Sequence, residues 1–94
     1  MKNAVVFELI PVYSRQKSFY GKAQVIQTPA GTFLKSYNTI VCGIPADTGL
    51  MIRYWAGWSA TTARHVAEFS RLHGMPAPSK SDWVTMPVER CPLW

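Results

Sequence analysis

The sequence predicts an α+β domain, a small antiparallel sheet of three to five strands with one amphipathic helix across one face. Three observations predict it. Residues 4–55 alternate apolar and polar side chains, are rich in β-branched and aromatic residues, and are broken by Pro/Gly turns. The segment 59–73 instead repeats apolar residues at helical spacing, with Ala63, Val66, Phe69 and then Leu72 or His73 on one stripe. The turns between the strand segments are short, so neighbours in sequence pair as an antiparallel meander. Ninety-four residues hold one core. The chain reads as a single domain: sheet 4–55, helix 59–73 and an extended C-terminal segment 75–94.

Val5 to Val12 is the first strand, with Pro11 marking an edge or a strand end. A polar connection, Tyr13 to Lys17, leads to a strand from Phe19 to Thr28. Thr28-Pro29-Ala30-Gly31 fits a type I turn, Pro second and Gly fourth. The return strand runs from Thr32 to Ile44, and its polar middle, Ser36 to Thr39, predicts a bend or bulge. A turn at Pro45 to Gly49 precedes a further strand, Leu50 to Trp55. Ser59 or Thr61 can cap the helix, Glu68 and Arg71 can pair on its solvent side, and Gly74 and Pro76 end it. Trp83 to Met86 reads as a short edge strand before an extended tail whose Leu93 and Trp94 pack back or meet a partner.

An apolar fraction of 48% against 16% charged residues is that of a globular protein and not of a disordered one. Ten Lys and Arg against five Asp and Glu give +5, which favours polyanions or acidic surfaces as partners. Four Trp, four Tyr and four Phe exceed what so small a core hides, so some rings belong to a contact surface. The apolar run after Lys2 stops at Glu8, too early for a signal peptide, and nothing approaches a membrane span. The expectation is a cytoplasmic protein with reduced thiols. Cys42 reads as a buried small hydrophobe, with a Cys42–Cys91 disulfide as the open alternative.

Two constellations carry binding chemistry. Bases and rings interleave around Lys17, Tyr20 and Lys22 (with Tyr13, Arg15 and Phe19) and again at Lys35 and Tyr37. Arg53 adds a further cation. Sheet surfaces that stack bases and track phosphates use such residues. The second constellation, Ser59, Thr61, Thr62 and Arg64, offers hydroxyls, a cation and free N–H groups to an anion at the helix start. His65 beside those hydroxyls raises general-base chemistry, but no carboxylate stands in a triad context. The competing reading makes the hydroxyls caps and bonds His65 to the sheet. No cysteine or histidine spacing matches a metal site, and no glycine-rich phosphate loop or dinucleotide fingerprint is present, so neither enzyme activity nor a cofactor is expected.

The segments Leu34-Lys35-Ser36-Tyr37-Asn38-Thr39-Ile40-Val41 and Trp58 to Phe69 together resemble small uncharacterised proteins of bacteriophages and mobile elements. In that group a "SYNT-V" strand precedes an "S-TT-RH--EF" helix. The resemblance covers about a third of the chain, stops before Met75, and implies a phage or mobile-element origin with no established activity.

The function expected from these readings is that of a small non-enzymatic binding protein. It acts on nucleic acid without strong sequence preference, through Lys17, Tyr20, Lys22, Lys35, Tyr37 and Arg53. A counter-defence role against a host protein, in the manner of anti-CRISPR proteins, is the alternative, although +5 argues against mimicry of nucleic acid. A phosphorylated small ligand at Arg64 ranks third. A free sheet edge is compatible with a homodimer.

Overall fold

The computed structural model describes residues 4–12 and 17–93, so the expectations on Tyr13, Arg15 and Trp94 fall outside the described residues. Five strands pair in chain order as one antiparallel meander: β1 (Val5–Glu8), β2 (Ala23–Thr28), β3 (Gly31–Ser36), β4 (Thr39–Pro45) and β5 (Ile52–Arg53). Two helices follow, α1 (Ala60–Leu72) and α2 (Lys80–Thr85). The predicted α+β architecture is the observed one.

Register explains how the sheet serves two layers. Val25, Leu34, Cys42 and Arg53 stand opposite one another across four strands, and Ile26, Phe33, Gly43 and Ile52 form the next row. Successive side chains on a strand point to opposite faces. The first row therefore meets α1: Val25, Leu34 and Cys42 pack with Val66, Phe69 and Trp83. The second row faces the C-terminal segment, where Ile26, Phe33 and Ile40 are covered by Cys91 and by half-buried Leu93. Gly43 is required here, because a Cβ at that position would come 2.4 Å from the Phe33 ring. Both thiols are free and sit in different apolar clusters, and burial pushes both up in pKa.

Three expectations are corrected. The long return strand is two strands, because Tyr37 and Asn38 form a two-residue hairpin loop between the paired Ser36 and Thr39. The register then slips, from Leu34 opposite Cys42 to Lys35 opposite Ile40, which leaves Val41 as the extra residue of a bulge. Strict alternation through the segment is accordingly broken: Ile40 turns to the tail side and Val41 to the helix side.

The edge strand expected at Trp83 to Met86 lies mostly within α2. Ser79 accepts from the Asp82 amide and Asp82 accepts from the Ser79 amide, a capping box that starts the helix. Glu68, placed on the solvent side of α1, is instead buried and accepts the Val12 amide at 3.0 Å. The N-terminal segment thus folds over that flank of the helix.

Candidate functional site

The site lies at the sheet end where β2 begins, β3 turns into β4, and α1 starts. Ser59 caps α1, accepting from the Thr62 amide at 3.1 Å. Helical spacing then turns Thr62 and His65 toward the sheet together. Both reach Ser36, the last residue of β3, with Oγ 3.1 Å from Thr62 Oγ1 and 2.8 Å from His65 Nδ1. All three residues are at least 95% buried. The three groups form one chain of hydrogen bonds, running from Thr62 through Ser36 to an accepting Nδ1 in one tautomer of the ring and in the reverse sense from an Nδ1–H in the other. Phe19 meets the His65 ring edge-on at 4.5 Å between centroids.

A hydroxyl 2.8 Å from an imidazole has the spacing of an activated nucleophile. Here the pair is sealed inside the core with Ser36 only 2% exposed, so the arrangement links helix to sheet and offers no oxygen to a substrate. The sequence anticipated a bonded His65 but not the serine that bonds it. No group of metal-ligating side chains occurs among the described residues.

Above this buried link stand the exposed rings. Tyr37 projects from the β3–β4 loop in the left-handed region, φ 56°, and Tyr20 from the turn before β2, φ 54°. Such backbone is costly for residues other than Gly, Asn and Asp, and it concentrates at functional sites. The Tyr37 amide donates to the Lys22 carbonyl at 2.7 Å, tying the two turns together. The Lys22 ammonium lies 5.7 Å from the centre of the Tyr37 ring, whose other neighbour is the His65 ring at 6.0 Å. Glu8, the nearby acid, is occupied by the Gly21 amide and the Ser18 hydroxyl.

The structure sorts the residues singled out in the sequence. Lys22 and Tyr37 converge, while Tyr20 is exposed in the turn just before Lys22 and Lys17 is exposed a few residues ahead of it. Lys35 does not join them. It alternates with Leu34 and Ser36, which face α1, so it belongs to the opposite sheet face. Arg53 is 5% exposed, and its guanidinium donates to the carbonyls of Trp55, Ala56, Trp83 and Met86, which leaves it no reach toward a phosphate. Of the anion constellation, Ser59 is the cap and Thr62 turns inward to Ser36. Thr61 is half-buried and Arg64 exposed, close enough to His65 to repel its proton. Of that constellation, Arg64 alone stands exposed at the helix start.

His65 titrates below its ordinary range, first because burial strips the charged ring of water and then because Arg64 and Lys22 oppose it. The unfolded ring takes a proton as the pH drops through about 6.5, while the folded ring resists until lower pH. In that window the unfolded state holds more protons, so stability falls as pH falls, levelling off below the folded pKa. Urea melts between about pH 7.5 and about pH 5 should show this slope, and His65→Gln should flatten it. Equal slopes in both proteins would assign it elsewhere.

The chain belongs to the group described as Family of unknown function (DUF8033), whose model matches residues 7–85. No curated protein and no solved structure matches it.

Proposed function

Taking that membership, which carries no activity, as the premise, we propose that the protein binds single-stranded nucleic acid without strong sequence preference at the Tyr20–Lys22–Tyr37 end of the sheet. The observation that carries the reading is the Lys22 ammonium held 5.7 Å from an exposed tyrosine ring, both fixed by the Tyr37–Lys22 backbone bond. A flat ring presented at a tight turn stacks any base, and the adjoining cation tracks the phosphate. Lys17 and Arg64 extend the positive field, in keeping with the net +5. The tyrosines hold a backbone conformation that relaxes with Asn or Gly, so their rings are kept at a cost to the fold.

Affinity for a single-stranded oligonucleotide should fall linearly with salt on log–log axes, with a slope of about −0.7 for each phosphate neutralised. Lys22→Gln should shallow that slope by about 0.7. Tyr37→Asn should weaken binding by roughly five- to 150-fold, the worth of one stacked base, while leaving thermal stability intact because Asn tolerates φ near 56°. No binding at low salt sinks the proposal.

A protein partner is the second reading, and it draws on a separate surface. Val5, Val6, Ile10 and Val12 are each more than half exposed along the edge strand and the segment after it. Such a strand invites pairing with another chain. A counter-defence protein of phage or mobile-element origin, the origin implied by the resemblance of Leu34–Val41 and Trp58–Phe69, would use that edge against a host protein in the cytoplasm. Pull-downs with and without Val6→Lys separate this from nucleic-acid binding. Recovery of the same protein by both would remove the edge from consideration. No helix among the described residues is long and apolar enough to cross a membrane.

A further inference from the structure

Three tryptophans surround the start of α1, and two of them are explained by the core. Trp83 is buried, donates from its indole to the Gly57 carbonyl at 2.8 Å, and carries the Arg53 guanidinium 5.0 Å from its ring centre. Trp55 packs against the helix-side core and lies so close over Gly57 that a Cβ there would come 2.4 Å from its ring. The cleft between these rings has about 10 Å³ of free space, room for roughly one water, so it is no ligand pocket as it stands.

Trp58 is different. It is 40% exposed, and the Lys80 ammonium sits 4.7 Å from its ring centre. This repeats the pairing of Lys22 with Tyr37 at a second place. Trp58 lines the same cleft as Ala63 and Pro78, and its two chain neighbours are fixed, Ser59 as the helix cap and Gly57 through the bond its carbonyl accepts from Trp83. Lys80 is placed by α2, whose first residue it is and whose last turn is fastened by Arg53. Trp58 immediately precedes the cap, and His65, which touches Tyr37, lies six residues after the cap, a rise of about 9 Å. Exposed Arg64 lies on the helix between them, and the first turn of α1 carries no acidic residue to oppose a phosphate. Asp82, near Lys80 in sequence, is turned back onto the Ser79 amide.

We infer that Trp58 with Lys80 is a second stacking position on the same nucleic-acid surface, and that a bound single strand crosses the start of α1 from Tyr37 past Arg64 to Trp58. The inference rests on the nucleic-acid reading above, and it adds a direction and a minimum length to the bound strand. An oligonucleotide of about four residues reaches one ring, whereas one of about 16, the upper end of single-strand site sizes, covers both.

Fluorescence anisotropy with labelled deoxythymidine oligomers of those two lengths tests it. Trp58→Ala should lower affinity for the long oligomer by about tenfold or more and leave the short one unchanged, and Tyr37→Asn should weaken both. Lys80→Gln, at an exposed position that leaves the fold untouched, should shallow the salt slope for the long oligomer only, by about 0.7. If Trp58→Ala and Lys80→Gln leave the long oligomer as tightly bound as in the parent while Tyr37→Asn weakens it, the second position is wrong and the Tyr37 site stands. If neither length binds the parent protein at low salt, the nucleic-acid reading itself falls, and this inference with it.

Discussion

Arg53→Met should destabilise the fold by about 3 kcal/mol or more, because it leaves several buried carbonyls without a donor, each worth about 1–3 kcal/mol. The guanidinium joins the end of β5, the loop after it and the end of α2, beside the bond from the Trp83 indole to the Gly57 carbonyl. Its bonds are 2.8 Å to Trp55, 2.6 Å to Ala56, 2.9 Å to Trp83 and 3.2 Å to Met86. Two of those acceptors terminate a six-residue helix, too short to persist alone in water. The Arg53 backbone continues the attachment, accepting from the Glu89 amide and bridging to Val88. For a domain of this size the loss corresponds to a drop in melting temperature of more than about 12 °C. Arg53→Lys should recover less than half, since an ammonium has three donors on a point and no planar fork. Urea denaturation of the three proteins checks it, and a loss below about 1 kcal/mol for Met would show that water replaces the guanidinium freely. Because α2 carries Lys80, a destabilised α2 also predicts a loosened Trp58 platform at temperatures where the sheet is still folded.

The contrast between Arg53 and Lys22 shows what the sequence could reveal. Both are cations near aromatic residues in strand-like segments, and both were reasonable members of a basic, aromatic surface. Their fates differ because of partners about 30 residues away in one case and 15 in the other. Local pattern carries no information about either. Helix α1 was legible because its signals are local: Ser59 at the cap, an apolar stripe through Val66 and Phe69, then Gly74 and Pro76. The Pro29-Ala30 hairpin was legible for the same reason. The β3–β4 turn was not, because Tyr37 is an uncommon residue for φ 56° and the alternation of side chains runs through it without a break. Helix α2 had a local signal in Ser79-x-x-Asp82, but the apolar Trp83, Val84 and Met86 outweighed it. Within the site, the cap at Ser59 and a bonded His65 could be anticipated. That Ser36 would be the partner depends on the register of β3, which the missed turn concealed.

Ser36→Ala should cost about 2–4 kcal/mol, far more than removing one exposed hydroxyl, because it strands two buried groups at once. Thr62 Oγ1 loses its side-chain partner, and His65 Nδ1 loses the Ser36 hydroxyl bonded to it. Neither can turn to water, since both residues are at least 95% buried. The triple variant Ser36→Ala, Thr62→Val, His65→Phe removes every polar group of the link while keeping similar volumes, and it should recover most of that loss. The size of the recovery measures how much of the cost is stranded polarity and how much is lost packing. The triple variant should also lose the acid-side fall in stability assigned to His65, since nothing in the cluster then titrates. Its nucleic-acid affinity is the decisive readout for the site. The Tyr37 backbone is held by the Lys22 carbonyl and not by the buried hydroxyls, so the ring should remain presented and binding should persist. A triple variant that folds with parental stability but no longer binds would mean that the Ser36–Thr62–His65 link does more than fasten α1 to β3, and that it sets the pose of Tyr37 through the His65 ring beneath it.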